Sequence, residues 1–306
     1  MRITLVKLAR PVFVLVLFTA LIFTSFSYAD TATGAQPLVI NYVEKAEIGR
    51  SAKRSLKLIT INLAHGRKDS WNQWLVNEKN IRENLDDIAR FLERVGADVV
   101  ALQEADGPSR WSGGFNHVAY LAEKAGFPFY IQTEHAQITM GNYGTAILSR
   151  MPIREAVGFT FPPSWPTTNK GFTLAQIEWP NPDAVGEAVV LDVISVHLDF
   201  SRKSVRKSQL EELVALIKPR QNLLAILGDF NSQWLAKKYT VDSFSDVSPV
   251  HVFDANSENL NTYKDKRLDW IILSRGLEFI TYENEPSLLS DHKAVIATIE
   301  FSEEEQ

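Results

Sequence analysis

Apolar positions along the chain follow two periods. Short runs that are wholly apolar or alternate with polar residues predict strands at Leu56–Ile61, Asp98–Leu102, Tyr143–Leu148, Phe172–Trp179, Ala188–His197 and Leu223–Leu227. Three more follow at Leu268–Leu273, Leu277–Tyr282 and Ala294–Phe301. Helical spacing places Ile81, Leu85, Ile88, Leu92 and Val95 on one face of a helix over 78–95. Val118, Leu121, Ala122 and Ala125 mark a second helix, stopped by Gly126 and Pro128. Leu210, Leu213, Val214 and Ile217 give an apolar face to a third, at about 205–218. The segments Phe161–Pro166 and Trp179–Asp183 are rich in proline and predict loops. So many strands with so few helices predict two packed mixed sheets with helices outside, a four-layer α/β sandwich, rather than a doubly wound parallel sheet.

The first 54 residues do not share this pattern. Arg2, Lys7 and Arg10 precede an uncharged run from Pro11 to Ala29, and Ser27-Tyr28-Ala29 ends it with small residues. A basic head, an apolar run and a small-x-small end predict a secretory signal over 1–29, and hence an exported, periplasmic or secreted protein. The alternative is an uncleaved N-terminal anchor. Residues 30–54, small and polar and then basic, are expected to be a linker, and 55–303 a single domain.

Composition narrows the class. Hydrophobic residues are 45% and charged residues 23% of the 306, as in ordinary globular proteins. There is no cysteine, which excludes disulfides, thiolate metal sites and cysteine nucleophiles. Without residues 1–29 and their three basic side chains, 29 basic residues face 37 acidic ones, a net charge of about −8. That balance argues against a protein that coats nucleic acid non-specifically.

The chemistry gathers at strand ends. Apolar runs terminate in Asn62, in Gln103-Glu104, in His197-Leu198-Asp199 and in Asp229-Phe230-Asn231. Asp269 opens one strand, and Asp291-His292 precedes the last. Strand ends that meet at one edge of a sandwich pool these groups in one pocket. Oxygen ligands without thiolate suit Mg²⁺, with Mn²⁺ or Ca²⁺ as alternatives. Two histidines add groups that titrate near neutral pH. The set fits water attack on a phosphate ester.

The segments ITINLAHG, DVVALQEAD, NYGTAILSR, SVHLDFSRKSVRKSQL, AILGDFNS, KRLDWIILS and LSDHKAVIATI, taken in this order, resemble the endonuclease/exonuclease/phosphatase superfamily with its deoxyribonuclease I-like fold. The resemblance spans Asn62 to His292. It implies Glu104 as principal metal ligand, with Asn62 and Asp291 near the metal. It implies Asp229 as the group that positions or deprotonates the attacking water, Asn231 as a holder of a phosphate oxygen, and His197 and His292 as contacts to the scissile phosphate. Asp269 would hydrogen-bond His292 and fix its tautomer. The resemblance leaves the number of metals and the identity of the base open.

Tyr143, Arg206 and His65 are candidate substrate contacts, and Arg206 and Gln209 are equally suited to buttressing the site. Trp111 and Trp165 lie in loops, where a tryptophan stacks on a base, rests on lipid or fills the core. The expected partner is a phosphate-ester substrate. A nucleic acid stands first, with phospholipid or sphingomyelin and a small phosphoester or phosphoinositide as alternatives. No obligate protein partner is evident. A non-catalytic binding module of the same fold predicts gaps among the eight pooled positions, and there are none.

Overall fold

The computed structural model describes residues 34–302 except 45, 47, 49–51, 140, 181–187 and 234–249. Residues 1–29, the expected signal, lie outside the described residues. Among the latter, fourteen strands form two seven-stranded mixed sheets. One sheet has the order β1 (Gly34–Pro37), β7 (Ile153–Thr160), β8 (Gly171–Trp179), β9 (Val189–His197), β10 (Leu223–Asp229), β12 (Asp269–Ser274), β11 (Val250–Val252). The other has the order β13 (Leu277–Asn284), β14 (Val295–Phe301), β3 (Ser55–Asn62), β4 (Val99–Asp106), β6 (Gly141–Ser149), β5 (Phe129–Ile138), β2 (Asn41–Tyr42). Helices α1 (Glu78–Val95), α2 (His117–Lys124) and α3 (Lys203–Ile217) complete the fold.

Two-residue periodicity sorts the side chains into three cores. Leu56, Leu58, Val99, Ala101, Val193, Ala225, Leu227 and Ile271 lie between the sheets. The alternate residues Ile59, Ile61, Val100 and Leu102 pack outward on α1 and α2, through Ile81, Leu85, Ile88, Val118 and Leu121. Ile194, Val196, Leu224 and Ile226 pack outward on Leu210, Leu213 and Ile217 of α3. The four expected layers are therefore present. Helix α1 begins where Asn77 Oδ1 accepts from Asn80 N at 3.0 Å and ends on left-handed Gly96.

Within the expected linker, the described residues 34–37 and 41–42 are strands of the fold. Gly34–Pro37 pairs antiparallel with β7, and Asn41–Tyr42 pairs with β5, so that the segment adds an edge strand to each sheet in turn. Edge strands need only one backbone partner, which small polar residues supply without an apolar signature. Strands β5 and β7 also lie outside the sequence expectation. Their inward polar residues (Thr133, His135, Thr160) break the apolar run, yet are satisfied inside the sandwich: His135 Nε2 lies 2.8 Å from Thr145 Oγ1 and its Nδ1 3.0 Å from Thr160 Oγ1.

Two pairings fix the sheet edge that carries the polar strand ends. Strand β10 runs parallel to β9 with Asp229 beside His197, and antiparallel to β12 with Asp229 beside Asp269. Gly228 makes this register possible. It has φ +147°, and a Cβ there would sit 2.0 Å from Val196 O. Gly228→Ala is expected to cost about 2–4 kcal/mol from overlap and backbone strain. Urea denaturation measures it, and an unchanged midpoint would refute so close an approach of β9 and β10.

Candidate active site

The C-terminal ends of β3, β4, β9 and β10 open into a cleft of about 780 Å³. Asn62, Glu104, His197, Asp229, Asn231, Asp291 and His292 all line it, together with Arg206. Asp269 is fully buried behind His292. All eight pooled residues thus meet in one place.

Glu104 reaches the cleft because β4 bulges between Gln103 and Ala105, and Glu104 takes φ 46°, in the left-handed region. A bulge re-aims one side chain while the strand continues. Asn231, with φ 50°, turns the chain after β10; its backbone N–H donates to Asp229 Oδ1 at 2.8 Å and its Nδ2 to Leu198 O at 3.0 Å. Asn62 Nδ2 donates to Asp229 Oδ2 at 3.2 Å. Both asparagines therefore orient Asp229.

Burial and the charge of Asp269 push the Asp229 carboxyl up to about 7. Burial alone would lower the His292 imidazole. The carboxylates of Asp269, 2.8 Å from Nδ1, and Asp229, 4.0 Å from Nε2, overcome that and raise it to about 10. At neutral pH the pair is a carboxylate near half ionisation facing an imidazolium. Asp229, Asp269 and His292 each offer one potential ligand atom within 4.8 Å of the others. Within the trio only His292 and Asp269 share a hydrogen bond; Asp229 Oδ2 stands 4.0 Å from His292 Nε2, a charge contact.

The oxygen donors of Glu104, Asn62 and Asp291 in the same cleft fit a hard divalent cation. Burial opposes ionisation of Glu104, but the basic groups around it, His65 foremost, prevail and hold it at about 2. An ionised carboxylate with an amide oxygen and a second carboxylate in one cleft is a hard donor set. Glu104 would hold the ion, with Asn62 and Asp291 nearby. Asp291 already takes Arg67 Nη2 at 2.6 Å, so that ion and guanidinium compete for it.

The three candidate substrate contacts separate. Arg206 lines the cleft and donates to Asp199 O at 3.0 Å, while Gln209 Oε1 accepts from Asp199 N at 2.9 Å; both buttress the loop after β9. His65 stands behind Glu104, with Nε2 3.3 Å from Glu104 Oε2 and Nδ1 2.7 Å from Asp106 Oδ1. Tyr143 packs edge-on against His65 at 4.7 Å and donates its hydroxyl to Thr168 Oγ1 at 2.7 Å. Trp111 also lies on His65, with ring centroids 5.4 Å apart.

Lys170 escaped the sequence reading. Its Nζ lies 3.2 Å from His197 Nε2 and 3.4 Å from Nδ1, in a buried position. Burial and this ammonium hold His197 well below its ordinary value, so its imidazole is neutral beside Asp229. The only sequence signal is an Asn-Lys-Gly placed before β8, whose Gly171 pairs with His197.

The fold and this site define a metal-dependent phosphoesterase framework. The model of the Endonuclease/Exonuclease/phosphatase family matches residues 59–292, and the chain belongs to that family. No match was found among curated protein sequences. Among solved structures, the chain is similar to an endonuclease/exonuclease/phosphatase family protein from Leptotrichia buccalis (19% identity, TM-score 0.60, 80% of this chain and 100% of that one). It is similar to the endonuclease/exonuclease/phosphatase from Bacteroides vulgatus (16%, TM-score 0.62, 82% and 100%). It is also similar to D. rerio TDP2 complexed with a single-strand DNA product (17%, TM-score 0.58, 81% and 99%).

Asp229 accepts a proton only when ionised, and His292 supplies positive charge only when protonated. The rate kcat/KM is therefore expected to rise through about pH 7 and to fall near pH 10. The charge of Asp269 raises both groups, so Asp269→Asn should move both limbs to lower pH. A pH–rate profile whose limbs stay in place in that variant would break the assignment.

Proposed function

We propose that the protein is a divalent-metal-dependent hydrolase that cleaves a phosphate ester by in-line attack of water. The observation that supports it best is the row His197, Asp229, Asp269 abreast on β9, β10 and β12, with charged His292 facing Asp229 across 4.0 Å and ionised Glu104 in the same cleft. Asp229, held by Asn62 and the Asn231 backbone, receives the proton of the attacking water at Oδ2. The water oxygen bonds to phosphorus as the opposite P–O ester bond breaks. The alcohol leaves with the electron pair and takes a proton from solvent in the open cleft. His292, its Nδ1 hydrogen held by Asp269, and His197 beneath Lys170 face the negative charge that grows on the phosphoryl oxygens. Asn231 keeps a second amide hydrogen for one of those oxygens. A cation at Glu104, Asn62 and Asp291 would neutralise phosphate charge as a Lewis acid.

Hydrolysis of bis(p-nitrophenyl) phosphate and p-nitrophenyl phosphate with Mg²⁺, Mn²⁺ or Ca²⁺ tests the proposal and separates diester from monoester. Chelation should abolish turnover, and Asp229→Asn should lower kcat by about 10²–10⁴-fold, as for loss of a general base. The variant should also melt no lower than the parent at pH 8, because it removes a buried charge whose carboxyl favours the protonated form. Full turnover in the Asp229→Asn or the chelated protein would remove the proposal.

The proposal extends to export through the signal at 1–29. No helix among the described residues is long and apolar enough to cross a membrane. Fractionation with N-terminal sequencing of the exported form should give a chain that starts at Asp30. A chain that retains Met1 and stays membrane-bound would support the anchor instead.

A further inference from the structure

Four large apolar side chains stand in solvent on loops tied to the cleft: Trp71 (90% exposed), Trp165 (77%), Phe200 (63%) and Leu288 (53%). Scattered singly, exposed apolar residues are ordinary; collected around one mouth they mark a surface that is covered in use. They are also held in place. Trp71 follows Ser70, whose carbonyl accepts Arg67 Nη1 at 2.7 Å, and Arg67 lines the cleft and pairs with Asp291. Leu288 precedes Asp291 on the loop that this pair ties to Trp71. On the other loop pair, Ser164 Oγ and Thr167 Oγ1 bracket Trp165 and donate to Asp199 Oδ2 at 3.2 and 2.6 Å. Arg202 donates to Ser164 O, and Phe200, next to Asp199, lines the cleft.

Lys203, Arg206 and Lys266 line the same mouth. An occupant that matches all of this carries phosphate at its centre and apolar surface around it. Single-stranded nucleic acid would stack on the aromatic rings, but Leu288 offers no π-face. A bilayer matches every element. Tryptophan settles at the interface, leucine and phenylalanine enter the acyl boundary, and lysine and arginine meet headgroup phosphates. We propose that the mouth of the cleft docks on a phospholipid bilayer and that the ester it cleaves belongs to a lipid headgroup. The second half of this statement rests on the hydrolase proposed above; the first half does not.

Vesicles of phosphatidylcholine and phosphatidylglycerol with brominated acyl chains test it on the full chain. Residues 1–29 contain no tryptophan, so bromine quenching of tryptophan emission does not report on that segment. The parent and Asp229→Asn proteins should be quenched alike, and W71F/W165F should lose most of the quenching. Trp71 and Trp165 lie outside the hydrolytic machinery. The W71S/W165S variant should thus keep its turnover of bis(p-nitrophenyl) phosphate and lose at least about tenfold in turnover of vesicle phospholipid, the loss of apolar insertion. Absence of quenching in the folded parent protein overturns the docking. So does quenching of the same tryptophans by a single-stranded oligonucleotide, with plasmid nicking, in place of vesicles. Quenching without hydrolysis of any ester would keep the docking and discard the lipid-hydrolase half.

Discussion

The two-residue period of the pleat is the constraint on which everything else depends. Along the inner face of each central strand the same rank of positions passes from core to site. On β3 it runs Leu56, Leu58, Thr60, Asn62; on β9 it runs Leu191, Val193, Ser195, His197; on β10 it runs Ala225, Leu227, Asp229. Between apolar core and cleft lies a layer of small polar groups that satisfy one another across the sheets. Gln103 Nε2 donates to Ser195 Oγ at 3.0 Å, and Gln103 Oε1 accepts from Thr60 Oγ1 at 3.2 Å. A slip of one residue in any central strand would turn its catalytic group out of the sandwich and an apolar residue into the cleft.

That placement also sets the chemistry. Asp229 occupies a position that, two residues earlier, belongs to a core leucine, and the burial suited to Leu227 makes the carboxyl of Asp229 reluctant to ionise. The same burial would discharge His292, but Asp269 beside it reverses the sign. One low-dielectric pocket thereby holds a base near neutrality and a persistent cation side by side, with no change of environment between them. Burial, with Lys170, adds a third setting by keeping His197 neutral, and Glu104 is a fourth as an ionised carboxylate. Separated acid and base roles in adjacent titratable groups are what catalysis near pH 7 requires.

The parts of this that were legible in the sequence are those carried by local pattern. A polar residue at the end of an apolar run is visible in one dimension, so Asn62, His197, Asp229 and Asp269 stood out, and the helix over 78–95 followed from its apolar spacing. Groups whose meaning lies in a partner far along the chain did not. Lys170 acts on His197, Arg67 on Asp291 and Asp106 on His65, pairs that come together only once the strands are registered. The left-handed turn that aims Glu104 is a property of a bulge against β6, which no run of residues displays. Edge strands β1 and β2 hid for the related reason that a strand paired on one side can be built from backbone alone.

Chemistry and substrate choice are built on largely different parts of this frame, with Asp291 shared between the proposed cation and the Arg67 clamp. Most of the groups proposed to act on phosphorus are fixed by strand register or by the turn that directly follows a strand; His292, on the loop before β14, is fixed by its hydrogen bond to Asp269 on β12. The residues that meet whatever surrounds the phosphate stand on loops clamped by side chains, Asp199 on one rim and Arg67 with Asp291 on the other. Burial disfavours the charge of Asp199, yet hydrogen bonds from Thr167, the Arg202 backbone and Ser201 hold its carboxyl at about 2. The Asp199 clamp therefore stays ionised throughout the range in which Asp229 and His292 change charge. A rim that keeps its shape while the centre titrates lets the loops vary in sequence without disturbing the register beneath them. This physical independence is what allows one sandwich to carry many substrate specificities on a single hydrolytic edge.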